Sequence, residues 1–519
     1  MPSLLGVAAA FAGMVGIVSA LTPELADRID LVTAILPPGV PEAARVLALS
    51  LGLGVVWLSR SLARRKRRAW QLAVALVGAS AAAHLAKGLD VEEAVVHVVL
   101  LGALLRYRRA FDAPGDPETI RPFVRAVGAL AAVGVLAALR VADRMAFSER
   151  IEEALGLIAL VLTARALYLW LRPIALRVVQ TPLERRLAER LVREHGRDSL
   201  AFFALRRDKS YFFSPSGRAF LAYRVTNGCA LVAGDPIGSP DEFRALLEEF
   251  RRVARTRAWR VAILGASADL LPLYRDCGLR AVYLGDEAVV DPRGFSLEGR
   301  AIRKVRQSVH RVRRAGYSVR FVCPTEVTPK LRAELEQVSH EWRGRWPERG
   351  FTMAMDGLFA YDEGVLVVAE DAEGLVGGFL QLVPAPASGG YSLAAMRRGK
   401  ETPNGLMETL VVETIEWARR RGARELSLNF AVFGELLRGC ERMPLRRRAA
   451  RFGLLRLDRV FQLERLLSFN RKFQPEWRPR YICVEHVLDF PVVGLAYLRV
   501  ESLLTPPGPW AASRDLTAA

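Results

Sequence analysis

Cysteine and histidine are scarce in this chain. Its 519 residues include five cysteines, an odd number with no CxxC spacing, and six histidines too scattered to form a spacing motif. Neither a disulfide framework nor a zinc site is indicated, and metal catalysis has little support. Acidic residues are also in deficit, 55 Asp and Glu against 74 Lys and Arg, for a formal net charge of +19. Anionic partners are therefore expected. The first apolar run has no basic segment ahead of it and no clear small-residue cleavage site, so it reads as a retained helix rather than a cleaved signal peptide. What the chain does have is apolar sequence, 51% of its residues, beside 25% charged residues. The two kinds are segregated along the chain.

Leu, Val, Ala and Gly dominate six stretches, 4–21, 46–59, 69–86, 91–105, 126–139 and 155–171. Several approach the roughly 20 residues that span a bilayer, which predicts a transmembrane domain of about six helices over 1–178. The second, fourth and fifth are the shortest of these. Arg60, Arg64, Arg65, Lys66, Arg67 and Arg68 follow the second stretch and Arg106, Arg108 and Arg109 the fourth, whereas Glu24, Asp27 and Asp30 lie in the first loop. By the positive-inside rule both ends of the module are cytoplasmic. Arg165, His84 and His97 lie within apolar stretches; the reading preferred for them is a snorkelling arginine and packed histidines.

Beyond Pro182 strand-like runs alternate with amphipathic helices, a mixed α/β pattern. Segments 220–225 and 229–234 flank a turn and read as a hairpin. A helix from Ser239 or Asp241 follows, its stripe formed by Phe243, Leu246, Leu247, Phe250 and Val253, and then two more strands. A second cycle runs through a helix at 330–346, strands at 365–370 and 375–383, a helix at 405–421 and a strand at 425–430. The soluble half thus reads as duplicated, with units at 179–325 and 326–504 and a disordered Pro/Ala-rich tail at 505–519. The segment 489–504 is apolar enough to dock on a membrane or on the soluble core. The stretch 391–433 joins a polar, glycine-containing turn to a helix and then a buried strand, an order that builds a substrate pocket.

GDPIG (234–238), LGDEAVVDPRGFSLEGRAIRKVRQSVHRVRRAGYSV (284–319), PNGLMETLVVETIEWA (403–418), LNFAVF (428–433) and FNRKFQPEWRPRYI (469–482) occur in this order. Together they resemble the aminoacyl-phosphatidylglycerol synthase domain of the multiple peptide resistance factor family, closest to the branch sometimes fused to a lysyl-tRNA synthetase. The resemblance implies tandem GNAT-type acyltransferase folds. It also implies an enzyme, a phosphatidylglycerol lysyltransferase-like aminoacyltransferase that moves lysine or another amino acid from aminoacyl-tRNA to phosphatidylglycerol at the inner leaflet. Such modification masks membrane charge and serves resistance to antimicrobial peptides. The implied location is the cell membrane, multi-pass, with a cytoplasmic soluble domain. No synthetase module is visible, so a separate synthetase supplies the charged tRNA. Two alternatives stay open: a catalytically silent lipid- or partner-binding membrane protein, and a peptidoglycan-precursor aminoacyltransferase.

Exchange of one ester for another starts from an activated donor, so positioning, a proton acceptor and oxyanion donors suffice, with no metal or organic cofactor. Asp235, Glu287 and Glu408 lie in segments that match the family and are the candidate catalytic groups; against this, an Asp before Pro commonly caps a turn. Met396, Arg397, Arg398, Asn404, Gly405 and Asn429 are the candidate substrate-binding residues. Asn404 and Gly405 precede a helix whose free N–H groups can hold an anion or simply be capped. Arg303, Lys304 and Arg306, within a basic segment that runs to Arg314, are candidates for tRNA phosphate or for anionic lipid. Lys472, Arg478 and Arg480 suit phosphate as well, with Trp477 beside them. Ala394 stands where the family usually carries Asp, which leaves the donor open to a neutral amino acid such as alanine, or activity lost. The common expectation is a cationic cavity reachable by nucleic acid and by lipid headgroups.

Overall fold

Long Leu/Val/Ala runs bury their backbone polar groups within themselves only as helices, and the amino-terminal sequence does so. The computed structural model describes residues 1–22, 40–88, 90–141, 149–172, 178–344, 350–352, 354–432, 463–502 and 504. Two compact units result, residues 1–175 with 252–259, and 176–251 with 260 onward.

The first unit holds α1 (Pro2–Leu21), α2 (Val40–Ala63), α3 (Arg67–Gly88), α4 (Val91–Arg106), α5 (Ile120–Val141) and α6 (Glu149–Leu171). Five stretches among the described residues, Pro2–Leu21, Val40–Ala63, Arg67–Lys87, Pro117–Leu136 and Glu153–Leu171, are long and apolar enough to cross a membrane. The fourth expected span, α4, has only 16 residues, about 24 Å at 1.5 Å per residue, and falls short of a hydrocarbon core of about 30 Å. The basic turn between α2 and α3 has a structural task. Lys66 donates to the Leu171 carbonyl at 2.8 Å, and Arg68 bonds Thr119 and stacks 4.9 Å from the Trp170 ring centre. Arg165 is exposed on α6.

The second unit is mixed α/β. It opens with α7 (Pro182–His195), started by a Thr181–Glu184 capping box, a sequence signal worth about 1 kcal/mol. Then come β1 (Ser210–Phe213), β2 (Ala219–Thr226), β3 (Cys229–Ala233), β4 (Ile237–Gly238), α8 (Phe243–Thr256, of which residues 243–251 belong to this unit), β5 (Arg260–Ser267), α9 (Leu271–Asp276) and β6 (Arg280–Val290). They are followed by α10 (Arg303–Arg314), β7 (Ser318–Val322), α11 (Pro329–Arg343), β8 (Val365–Glu370), β9 (Val376–Ala385), β10 (Gly390–Arg398), α12 (Leu406–Arg420) and β11 (Leu426–Val432). The last elements are α13 (Leu463–Asn470), β12 (Glu476–Val484) and α14 (Phe490–Val500). The β2–β3 hairpin turns at Asn227 and Gly228, both at positive φ, as a two-residue Asn-Gly turn requires. Helix α14 buries Val493, Ala496 and Val500 against β3, β5 and β12, so this part of the apolar 489–504 segment packs on the α/β core.

The described strands join one sheet in the order β1-β2-β3-β5-β12-β6-β11-β10-β9-β8-β7, with β4 on β2. The two cycles are visible in it: β3–α8–β5 and β10–α12–β11 each form a parallel pair through a crossover helix. Their last strands are exchanged. Strand β12 of the second cycle inserts between β5 and β6 of the first, and β6 pairs with β11. The boundary expected at 325/326 therefore lies between β7 and its own partner β8. Helix α10 also packs on α12 of the second cycle through Val305, Val309 and Val312. The two cycles share one sheet.

Candidate active site

Strand exchange carries side chains from distant parts of the chain to one place. Glu287 on β6 is 1% exposed, and both its oxygens are occupied. Its Oε1 accepts from the hydroxyls of Ser199, in the loop after α7, and Ser427 on β11, the latter at 2.5 Å. Its Oε2 accepts from Arg480 on β12, with Nε at 2.9 Å. Arg480 also donates to Asp198 at 2.6 and 2.9 Å, to Ser199 at 3.0 Å and to the Gly265 carbonyl at 3.3 Å. Ser392 on β10 closes the cluster by donating to the Ser199 carbonyl at 2.6 Å. Burial opposes charge on both Asp198 and Arg480. Their mutual attraction outweighs it, holding the Asp198 carboxyl below its ordinary range and the guanidinium well above its own.

This cluster lies at the base of a fork. The parallel ladder of β10 and β11 consists of Tyr391↔Leu426 and Ser392↔Ser427 and goes no further, although β10 continues to Arg398 and β11 to Val432. A bulge contributes to the divergence, since Ala394 is the extra residue between Leu393 and Ala395 in the pairing with β9. The equivalent pair in the first cycle, β3 and β5, stays in register from Cys229↔Arg260 to Ala233↔Leu264. Beyond its end Asp235 acts as a clasp, its carboxylate accepting the Ser267 N–H at 3.2 Å and the Tyr274 hydroxyl at 2.6 Å. Burial and then the charge of Asp198 push Asp235 up to about 6. These bonds join two strand ends.

The polar residues after β10 gather around α12. Gly405 is its N-cap at φ +103°, and a Cβ there would lie 2.6 Å from Ser308 Cβ of α10, so glycine is required. Arg311 reaches from α10 to the Asn404 carbonyl at 3.2 Å. Glu408, in the first turn of α12, pairs with Lys472 at 2.7 Å. Arg397 is buried and bonded to Ser339 of α11, Met396 packs on the apolar core, and Arg398 is half-buried. Asn429 lies on β11, but its side chain is outside the described residues.

The basic candidates separate. Arg303 and Lys304 are exposed on α10, as are Arg311, Arg313 and Arg314, whereas Arg306 turns back to the Leu297 and Gly299 carbonyls. Arg480, expected to bind phosphate, is 5% exposed and every guanidinium nitrogen already donates within the cluster. Arg478 is shared by Glu425 and Glu476 at 2.7 and 3.2 Å. It borders an open cavity of about 320 Å³ together with Arg424, Asp291, Glu425, Glu476 and Phe473. That cavity is lined by side chains of both signs. Asp198, Ser199, Ser392 and Ser427 escaped the sequence reading, because no spacing connects residues up to 282 positions apart.

Residues 189–484, more than half of the chain, match the family model described as phosphatidylglycerol lysyltransferase, C-terminal. The chain belongs to this family. The lysylphosphatidylglycerol biosynthesis bifunctional protein LysX of Rhodococcus jostii (strain RHA1) is 35% identical over 507 residues, covering 89% of this chain and 45% of that protein. LysX of Mycobacterium ulcerans (strain Agy99) is 40% identical over 318 residues, 60% of this chain and 28% of the relative. The chain thus spans less than half the length of these relatives. Among solved structures, L-PGS from Bacillus licheniformis superposes with a TM-score of 0.56 at 26% identity, covering 64% of this chain and 99% of the other. The C-terminal domain of a putative lysylphosphatidylglycerol synthetase from Agrobacterium fabrum does so with a TM-score of 0.54 at 27% identity, covering 61% and 96%. Within this phosphatidylglycerol lysyltransferase family the described chain combines apolar helices with the mixed α/β fold of those neighbours.

Proposed function

We propose that the chain is a membrane-bound aminoacyltransferase that moves an amino acid from aminoacyl-tRNA to a hydroxyl of phosphatidylglycerol. The observation that carries this reading is the fork between β10 and β11 with a buried hydroxyl–carboxylate cluster at its base. Open α/β sheets bind ligands at the carboxyl ends of parallel strands, and the fork opens toward the Met396–Arg398 and Asn404–Gly405 segments. The names of the relatives support phosphatidylglycerol as the acceptor. Each cycle of the sheet is read as a GNAT-type fold, the second carrying the reaction and the first, closed by Asp235, carrying the scaffold.

In the reaction the lipid hydroxyl attacks the ester carbonyl, its proton passes to a base, and the ester bond to the tRNA ribose breaks with return of a proton to the ribose oxygen. Glu408 is the assigned proton acceptor, held by Lys472 yet partly open to solvent. Glu287, whose oxygens are filled, is a positioning residue for Ser427 and Ser199. Asn404 and Gly405 bind substrate at the start of α12, and Asn429, in the sequence of β11, is a further substrate-binding candidate. Arg303 and Lys304 follow tRNA phosphates. The apolar helices cross the cell membrane several times and hold the catalytic half on the cytoplasmic side.

Full-length protein reconstituted with radiolabelled aminoacyl-tRNA and separate lipid acceptors tests this reading. RNase-sensitive label on phosphatidylglycerol is expected. Label on a peptidoglycan precursor, or on no acceptor, overturns it.

A further inference from the structure

Helices α1, α3 and α4 enclose polar groups that the transferase reaction does not use. His84 on α3 and His97 on α4 are each 0% exposed, with ring centres 5.1 Å apart. His97 Nδ1 lies 2.8 Å from the Glu93 carbonyl, which leaves Nε2 without a partner, and neither ring nitrogen of His84 has one. Both Nε2 atoms converge on Gly16 of α1, where a Cβ would lie 3.1 Å from His84 Nε2 and 3.5 Å from His97 Nε2. One turn along α3, the hydroxyl of Ser80 is also buried and unpartnered. In the other direction Lys87, 1% exposed, donates to the Ser19 carbonyl at 2.7 Å and pairs with Asp90 at 2.7 Å. Ser19 donates to Asp90 at 3.1 Å, and the Asp90 side chain is 14% exposed.

A buried polar atom without a partner costs about 1–3 kcal/mol, and four such atoms lie on one file here. Ionisable groups inside a membrane helix bundle are retained where they carry ions or protons. Two imidazoles converging on one point, with Lys87, Asp90 and Glu93 around them, are suited to hold a proton between them. We propose that His84 and His97 form a proton-loading site in the helical module, reached from water at Asp90 through Ser19 and Lys87. The proton taken up forms an N–H bond at one Nε2, within reach of the other ring, and returns to water by the same route. Like-charge repulsion at this separation limits the pair to one proton rather than two. The apolar module is then a proton-responsive element and not an anchor alone.

Nitrogen-15 histidine NMR of the full-length wild-type protein in lipid nanodiscs, across roughly pH 5 to 8 where imidazole titrates, tests the site. His84→Asn and His97→Asn serve to assign two of the six histidines. The expected result is that the His84 and His97 signals move together in the wild type with one proton per pair, and that losing either ring displaces the transition of the other. Asp90→Asn slows hydrogen exchange at both rings. Neutral-ring signals for both across the whole range, or two independent transitions, would overturn the proposal. The wild-type titration decides this even if a variant does not fold.

Discussion

Lys209 has no exposed surface; its ammonium donates to the Phe203 carbonyl at 2.6 Å and stands 4.8 Å from the Phe351 ring centre. Burial, and then the charge of Arg206, pushes it down to about 7. Its folded value lies below its unfolded one, so above about pH 7 the unfolded chain binds more protons and stability rises with pH until both forms are neutral, near 10.5. Lys209→Met is expected to flatten that rise in the thermal midpoint of the second unit. An unchanged pH profile would remove Lys209 as its source. Ala394 makes a second residue-scale prediction. It is buried in a cluster with Phe202, Tyr211, Phe220 and Val383, so Ala394→Asp is expected to cost about 2–4 kcal/mol rather than confer a new donor preference. Denaturation and donor competition would check both parts. Individual residues were the least legible level of the sequence. Glu287 and Glu408 stood out through their segments, but the partners that define Glu287, namely Ser199, Ser427 and Arg480, meet only through the exchange of β6 and β12.

At the scale of elements much more was readable. The sequence pattern predicted strands at 365–370 and 425–430 and a helix at 405–421, and the structure has β8, α12 and β11 there. Strand β12 carries no strand signal in the sequence because EWRPR begins it with alternating charge and a proline. Pro479 is tolerated because pairing with β5 starts only at Arg480, so the first residues of β12 have β6 on one side alone. From sequence alone strand β10 resembles a turn, since its last residues are basic and a bulge breaks its alternation. The α10–α12 contact carries a prediction of its own. Gly405→Ala forces a Cβ onto Ser308 at a positive φ and is expected to cost about 1–3 kcal/mol and slow transfer. Gly405→Ala with wild-type stability would show that the approach of the two helices is slack.

For the whole molecule, segregation of charge from hydrocarbon was the plainest message of the sequence, and five membrane-length helices among the described residues, followed by a basic α/β unit, answer to it. What the sequence could not reveal was a sheet shared by two cycles, because strand exchange leaves no mark on periodicity. If α10 follows tRNA phosphates, reversing Arg303 and Lys304 together lowers tRNA affinity and flattens its logarithmic salt dependence by about 1–2; Arg306, which holds the 297–299 loop, is left intact. A salt slope equal to wild type assigns the helix to lipid or solvent. The central claim, that the reaction occurs at the fork between β10 and β11, is tested most directly by the rate of phosphatidylglycerol labelling by full-length Ser427→Ala and Glu287→Gln. With tRNA binding and the thermal transition preserved, each is expected to be slower than wild type by at least about tenfold. Wild-type rates in both variants would contradict the account.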